Sequence, residues 1–157
     1  MANKTLKNNV VAIVFNVIAL VLTVVGYALY NMNITAEGYF NGGAVANFPL
    51  YSIIIIIALV ASLILSLINK GSRVISIITG ILQFAAVVLI AACFLNLISD
   101  RVYGFGVLFF SNQDVLDTMQ TPENMSSAYV AIAAIAAYVV AWIITVVRTF
   151  VNDKKKA

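Results

Sequence analysis

The chain has 157 residues, of which 63% are hydrophobic and 10% charged, and a net charge of +3. Water-soluble domains carry roughly 45–50% apolar and about 25% charged residues, so most of this surface meets something other than water, and the same composition excludes a disordered chain. The nine basic residues lie near segment ends and form no patch with interleaved aromatics, so no nucleic-acid partner is expected.

Charges divide the chain into four uncharged, strongly apolar stretches, 8–36, 38–69, 74–99 and 124–147. A spanning helix needs roughly 20 apolar residues to cross a hydrocarbon layer about 30 Å thick. Lipid also requires every backbone N–H and C=O to bond internally, and stretches without strand-like alternation achieve this only as helices. The expected fold is an all-α membrane protein. It is read as a single domain over 1–157, a four-transmembrane-helix bundle with spans at about 10–31, 48–69, 73–98 and 123–150.

The first span carries one mid-helix polar residue, Asn16. Its apolar stretch exceeds the roughly 7–15 residues of a signal-peptide core, so it is expected to be retained. The connection 32–47 holds Asn33-Ile34-Thr35, a glycosylation pattern, and Asn41-Gly42-Gly43, a turn signal. Asn47-Phe48-Pro49 then opens the second span, in which Ala58, Ser62 and Ser66 recur every four residues. Asn69-Lys70-Gly71-Ser72-Arg73 reads as a glycine C-cap followed by Ser72 capping the next helix, which makes spans two and three an antiparallel hairpin.

The third span contains Ser76 and Gly80, then Gln83 and the single cysteine, Cys93, expected to be buried as a small apolar residue. Asn16 and Gln83 fall at similar depth, so an interhelical hydrogen bond between them is expected. With Ser62 and Ser66 they are the candidate intramembrane polar contacts. The connection 99–122 is the longer one. Its apolar 103–110 run is too short to span and is expected to pack on the bundle's outer end or to form a docking edge, paired with 34–40 as a small sheet. Tyr103, Phe105, Phe109 and Phe110 are the candidate docking residues. Ser111-x-x-Asp114 resembles a capping box opening a short helix to about Gln120. Asn112, Asp114, Asp117 and Glu123 do not match the spacing of a calcium loop.

Thr121-Pro122-Glu123 reads as an N-cap, a first-position proline and an acid at the positive helix end, opening the fourth span. Asn124-Met125-Ser126 is a second glycosylation pattern. Ala133, Ala137, Ala141 and Thr145 form a smooth stripe, the candidate helix-packing or partner face. Tyr138 and Trp142 form an aromatic ridge on another side, and the tail ends in Lys154-Lys155-Lys156.

Lys and Arg set the orientation. Lys4, Lys7, Lys70, Arg73, Arg148 and the three tail lysines share one side, and only Arg101 lies on the other, which places both termini in the cytoplasm. Tyr27, Tyr30, Tyr51 and Tyr129 are expected at the outer interface. No acid, base or histidine lies deep in a span, so a proton-coupled carrier is not expected. Without histidine or a Cys-x-x-Cys pair, neither a Ser-His-Asp triad, a haem or histidine metal site, nor thiol relay chemistry is expected. Nor are the Cys-Cys-Gly motif of tetraspanins or the outer-loop Trp and cysteine pair of claudins present. The expectation is a non-enzymatic accessory or scaffold subunit in the plasma membrane, without cofactor, partnered by the lipid bilayer and by another membrane protein or further copies of itself. The alternative is an oligomeric channel or pore for ions or small solutes.

Overall fold

A computed structural model describes residues 2–69 and 72–151, with side chains from Val10 onward. It contains five helices in chain order: α1 Ala2–Thr35, α2 Phe48–Ile68, α3 Arg73–Phe110, α4 Gln113–Met119 and α5 Pro122–Phe150. Four of them, α1, α2, α3 and α5, are long and apolar enough to cross a membrane. Neither the glycine cap expected at Gly71 nor the basic tail belongs to the described residues.

α1 packs on α2 and α5, and α3 packs on the same two helices, so the long helices close a ring in which α1/α3 and α2/α5 are the diagonals. The most extensive pairing is α1 with α5, where Gly26 allows close approach: a Cβ there would come within 2.7 Å of the Tyr138 ring. One end of the bundle carries Arg73 and Arg148 and is called here the basic end; the other carries the 36–47 connection and α4, and is the loop end.

A single spacing builds the core. In α1 the buried positions are Ala12, Asn16, Ala19, Thr23, Gly26, Tyr30 and Asn33. In α5 they include Ser127, Ala131, Ala134, Tyr138, Ala141, Thr145 and Arg148. Steps of four and three alternate, a 3.5-residue repeat that keeps one seam facing the partner helices as they supercoil. The seam is rich in Ala, Ser, Thr, Asn and Gln, whereas large apolar side chains point outward: Ile57 and Ile81 are each 62% exposed and Phe84 70%. Small residues let backbones approach in a medium where lipid is as apolar as leucine. Seam hydroxyls are satisfied locally, with Thr23, Thr79 and Thr145 each donating to the carbonyl four residues earlier.

Three sequence expectations are corrected here. The 103–110 run is neither a surface-packed loop nor a sheet edge: it continues α3, and among the described residues there is no strand. Helix continuation keeps its backbone bonded and its 3.5 repeat intact through Leu97, Arg101, Gly104 and Leu108, all buried. At 38 residues α3 is about 57 Å long, well beyond the roughly 30 Å of a hydrocarbon layer. Second, Ser111 is the C-cap of α3, and Asn112 instead caps α4, its Oδ1 accepting from the Val115 N–H at 3.1 Å. Third, Tyr30 is no interfacial ring. It is fully buried, lies 4.1 Å centroid to centroid from Phe48, and its hydroxyl accepts from the Val45 N–H at 2.9 Å.

Other boundary signals operate as expected. Thr121 Oγ1 accepts from the Asn124 N–H at 3.3 Å, ahead of Pro122. Asn47 precedes α2 in the left-handed region, φ 60°, a conformation asparagine tolerates better than most residues. The cap expected at Ser72 is not formed: Ser72 precedes α3 in extended backbone, without a side-chain cap bond.

Candidate functional site

Two polar clusters cross the diagonals of the ring, and a third locks its loop end. Near the basic end, Gln83 of α3 donates through Nε2 to Asn16 Oδ1 at 3.0 Å and to Ser62 Oγ at 2.5 Å. Asn16 Nδ2 donates to the Leu59 carbonyl at 3.2 Å and to Ser62 Oγ at 3.5 Å. Asn16, Ser62 and Gln83 are at most 3% exposed. A carbonyl can only accept, so Leu59 fixes which way the Asn16 amide faces, and Asn16 Oδ1 in turn fixes Gln83. The consequence is that Gln83 Oε1 is turned away and has no hydrogen-bond partner. Ser66, one turn further on, is not joined to the cluster, and its Oγ also has no partner.

On the other diagonal, Ser52 Oγ and the Tyr138 hydroxyl lie 2.6 Å apart, with Ser52 also bonded to the Phe48 carbonyl at 2.8 Å. Cys93 is buried beside them, Sγ 3.9 Å from Ser52 Oγ. Trp142, the other half of the aromatic ridge, packs edge-on against Phe94 of α3 at 5.9 Å.

At the loop end Arg101 is the anchor. Only 2% exposed, it bonds Asp100 at 2.7 Å and the Gly43 carbonyl at 2.6 Å, and its guanidinium lies 4.6 Å from the Phe40 ring centroid. This ties the 36–47 connection to α3. Gly104 leaves the space that the Phe40 and Tyr39 rings fill. Asn33 Nδ2 donates to the Ser127 carbonyl at 2.7 Å and pins α1 to α5. Asn124 Nδ2 is likewise bonded to the Met119 carbonyl at 2.9 Å. The amides of both glycosylation patterns are therefore engaged in the fold, and Asn33 is 2% exposed, which leaves no room for a glycan on it.

The four docking candidates separate. Phe105 and Phe109 pack into a small core with Phe40, Leu108 and Ala128, while Tyr103 and Phe110 are 77% and 85% exposed. The small-residue stripe separates too. Thr145 and Ala141 sit in the seam, Ala137 is half-buried and Ala133 faces outward. Steps of four advance about 400° around a helix of 3.6 residues per turn, so such a stripe drifts about 40° per step and leaves the seam. Ala58 and Ser62 on α2 are buried and Ser66 is half-buried, for the same reason.

No group of three or more His, Cys, Asp or Glu able to hold a metal occurs among the described residues. Asp114 and Asp117 are exposed on α4, with Asp117 accepting from Gln113 Nε2 at 2.6 Å. In comparisons with known proteins, no family model, no curated protein and no solved structure matches the chain.

Proposed function

We propose that this chain is a non-enzymatic multi-pass membrane protein that serves as an accessory or scaffold subunit of a membrane complex, with its basic end and both termini in the cytoplasm and its loop end outside the plasma membrane. The reading rests on the loop end of α3. Three turns of helix project past the apolar span, braced by Arg101 and by the Phe40–Gly104 contact, and present Tyr103 and Phe110 outward. Exposed aromatic side chains on a braced helical backbone are well suited to anchor a partner. The deeper polar residues support the same reading, because the amide donors of Gln83 and Asn16 are spent inside one bundle, on Asn16, Ser62 and the Leu59 carbonyl.

A photo-crosslinking residue in place of Tyr103 or Phe110 tests this in native membranes. Adducts to one particular other protein are expected from both positions, and none from Val140 on the lipid-facing side of α5. Adducts only to lipid, or only to a second copy of the chain, would contradict it. The oligomeric-pore alternative draws on Gln83 Oε1, the one acceptor of that cluster left over. Gln83→Leu distinguishes the two: altered conductance with unchanged assembly favours a pore, and lost stability favours the structural bond.

A further inference from the structure

A polar cleft of about 250 Å³ lies between α3 and α5 at the basic end, lined by Ser76, Thr79, Gly80, Gln83, Arg148 and Thr149. It is set apart from the α3 extension and opens off the basic end of the seam at Thr79, Gln83 and Arg148, and three properties define what fits it. The first is its acceptors. Thr79 Oγ1 gives its hydrogen to the Ile75 carbonyl at 2.9 Å and Thr149 Oγ1 to the Val146 carbonyl at 2.7 Å, so both oxygens face a ligand as acceptors only. Gln83 Oε1 is a third acceptor, buried and without a partner, because the Asn16–Leu59 bond turns it away from the cluster. Leaving a buried carbonyl unsatisfied is costly, and no donor among the described residues bonds it.

The second property is charge. Arg148 contributes the guanidinium, 5% exposed at the last turn of α5 and already engaged with the protein, Nη1 donating to the Val151 carbonyl at 3.4 Å; a guanidinium carries five donors and is well matched to phosphate oxygens as a further partner. The third is the mouth. Nothing lies within 4 Å of where a Gly80 Cβ would be, so the cleft is open beside Gly80. The residues flanking it on the exposed side, Ile77, Ile81 and Phe84, are apolar and 55–70% exposed, the surface that faces lipid in a bundle of this kind. The volume equals about eight waters at roughly 30 Å³ each, room for a phosphate and a few attached atoms but not for acyl chains.

We propose that this cleft binds a phosphate ester that also carries a hydroxyl or ammonium donor, with the phosphate on Arg148 and the donor on Gln83 Oε1 and the two threonine oxygens. Phosphatidylglycerol and phosphatidylethanolamine headgroups have both parts. Phosphatidylcholine has the phosphate but no donor, so it satisfies Arg148 and leaves Gln83 Oε1 unpaired.

The test uses the full chain in detergent, with each lipid added separately, and reads bound lipid by native mass spectrometry and the unfolding midpoint by a thermal scan. Phosphatidylglycerol and phosphatidylethanolamine are expected to be retained and to raise the midpoint by several degrees, and phosphatidylcholine to do neither. Gly80→Leu places its Cβ where nothing lies within 4 Å, at the open mouth, and leucine is a better helix former than glycine. It is expected to cut retention at least tenfold, as is Arg148→Gln. Displacement of the lipid by millimolar glycerol 3-phosphate would assign the site to a soluble ester of the same chemistry; no displacement would assign it to the membrane lipid. Equal retention of phosphatidylcholine, or retention unchanged in Gly80→Leu, would overturn the proposal.

Discussion

Gln83 and Asn16 illustrate how much a neutral polar residue can organise in an apolar bundle. Gln83 donates across the ring to Asn16, Asn16 donates to the neighbouring α2 at Leu59 and Ser62, and the Ser62 hydroxyl accepts from both. Interhelical hydrogen bonds in membranes contribute roughly 0.6–2 kcal/mol. Gln83→Leu removes two bonds and leaves Asn16 Oδ1 without this donor, so a loss of about 1–2 kcal/mol is expected in reversible unfolding in mixed micelles. A double-mutant cycle with Asn16→Leu should show positive coupling, because the second substitution no longer strands a partner. Additive losses would mean that the two side chains do not act on each other. The pairing of these two residues was readable from the sequence, since their depths match. The Ser62 contact that completes the cluster was not readable as a bond, because the sequence does not say which face of α2 meets the diagonal.

At the scale of the element, α3 is where sequence reasoning fell short. Asp100, Arg101 and two nearby glycines look like the end of a span, and an apolar run after charges looks like a loop. What continues the helix is the 3.5 repeat, Leu97, Arg101, Gly104, Leu108, which places a cation in a buried seam position that composition alone assigns to solvent. Arg101 is tolerated there because Asp100, the Gly43 carbonyl and the Phe40 ring surround its charge. Two glycines two residues apart then respond in opposite directions. Gly104→Ala drives a Cβ into the Phe40 ring and should cost about 1–3 kcal/mol by overpacking. Gly106 has nothing within 4 Å of its Cβ position, so Gly106→Ala should stabilise by about 0.5–1 kcal/mol through helix propensity. Thermal scans of the two variants check this pair directly. Limited proteolysis should also cut the 36–47 connection faster in the Gly104 variant.

The small-residue stripe teaches the same lesson about period. Counting every fourth residue picks out Ala133, Ala137, Ala141 and Thr145, but a supercoiled pair of helices reads every 3.5. The seam is instead Ala131, Ala134, Tyr138 and Ala141, with the large tyrosine seated opposite Gly26. Gly26→Val should therefore separate α1 from α5 and abolish stable folding, whereas Ala133→Val, on the outward side, should change the unfolding midpoint little. The four spans were legible because lipid solvation forces long uncharged stretches, and the start of α2 at Asn47-Phe48-Pro49 and the cap at Thr121 were legible because their chemistry is local. Which face of each helix turns inward depends on all four helices at once.

For the whole molecule, the architecture is a closed ring of four long helices with a braced extension at one end. The charge bias of the sequence predicts that a reporter fused after Lys156 is cytoplasmic and one inserted at Gly42 is external. The reverse pattern would invert the orientation and place Tyr103 and Phe110 inside the cell. The central claim is that the bundle is a subunit whose exposed extension meets a different protein. The most direct measurement is the mass and composition of the particle released from its native membrane by gentle extraction. The account predicts a stable complex containing this chain and another protein at fixed stoichiometry, lost when Tyr103 and Phe110 are both replaced by serine. A lone monomer, or a closed ring of identical copies, would contradict it, and the ring would turn attention to conductance.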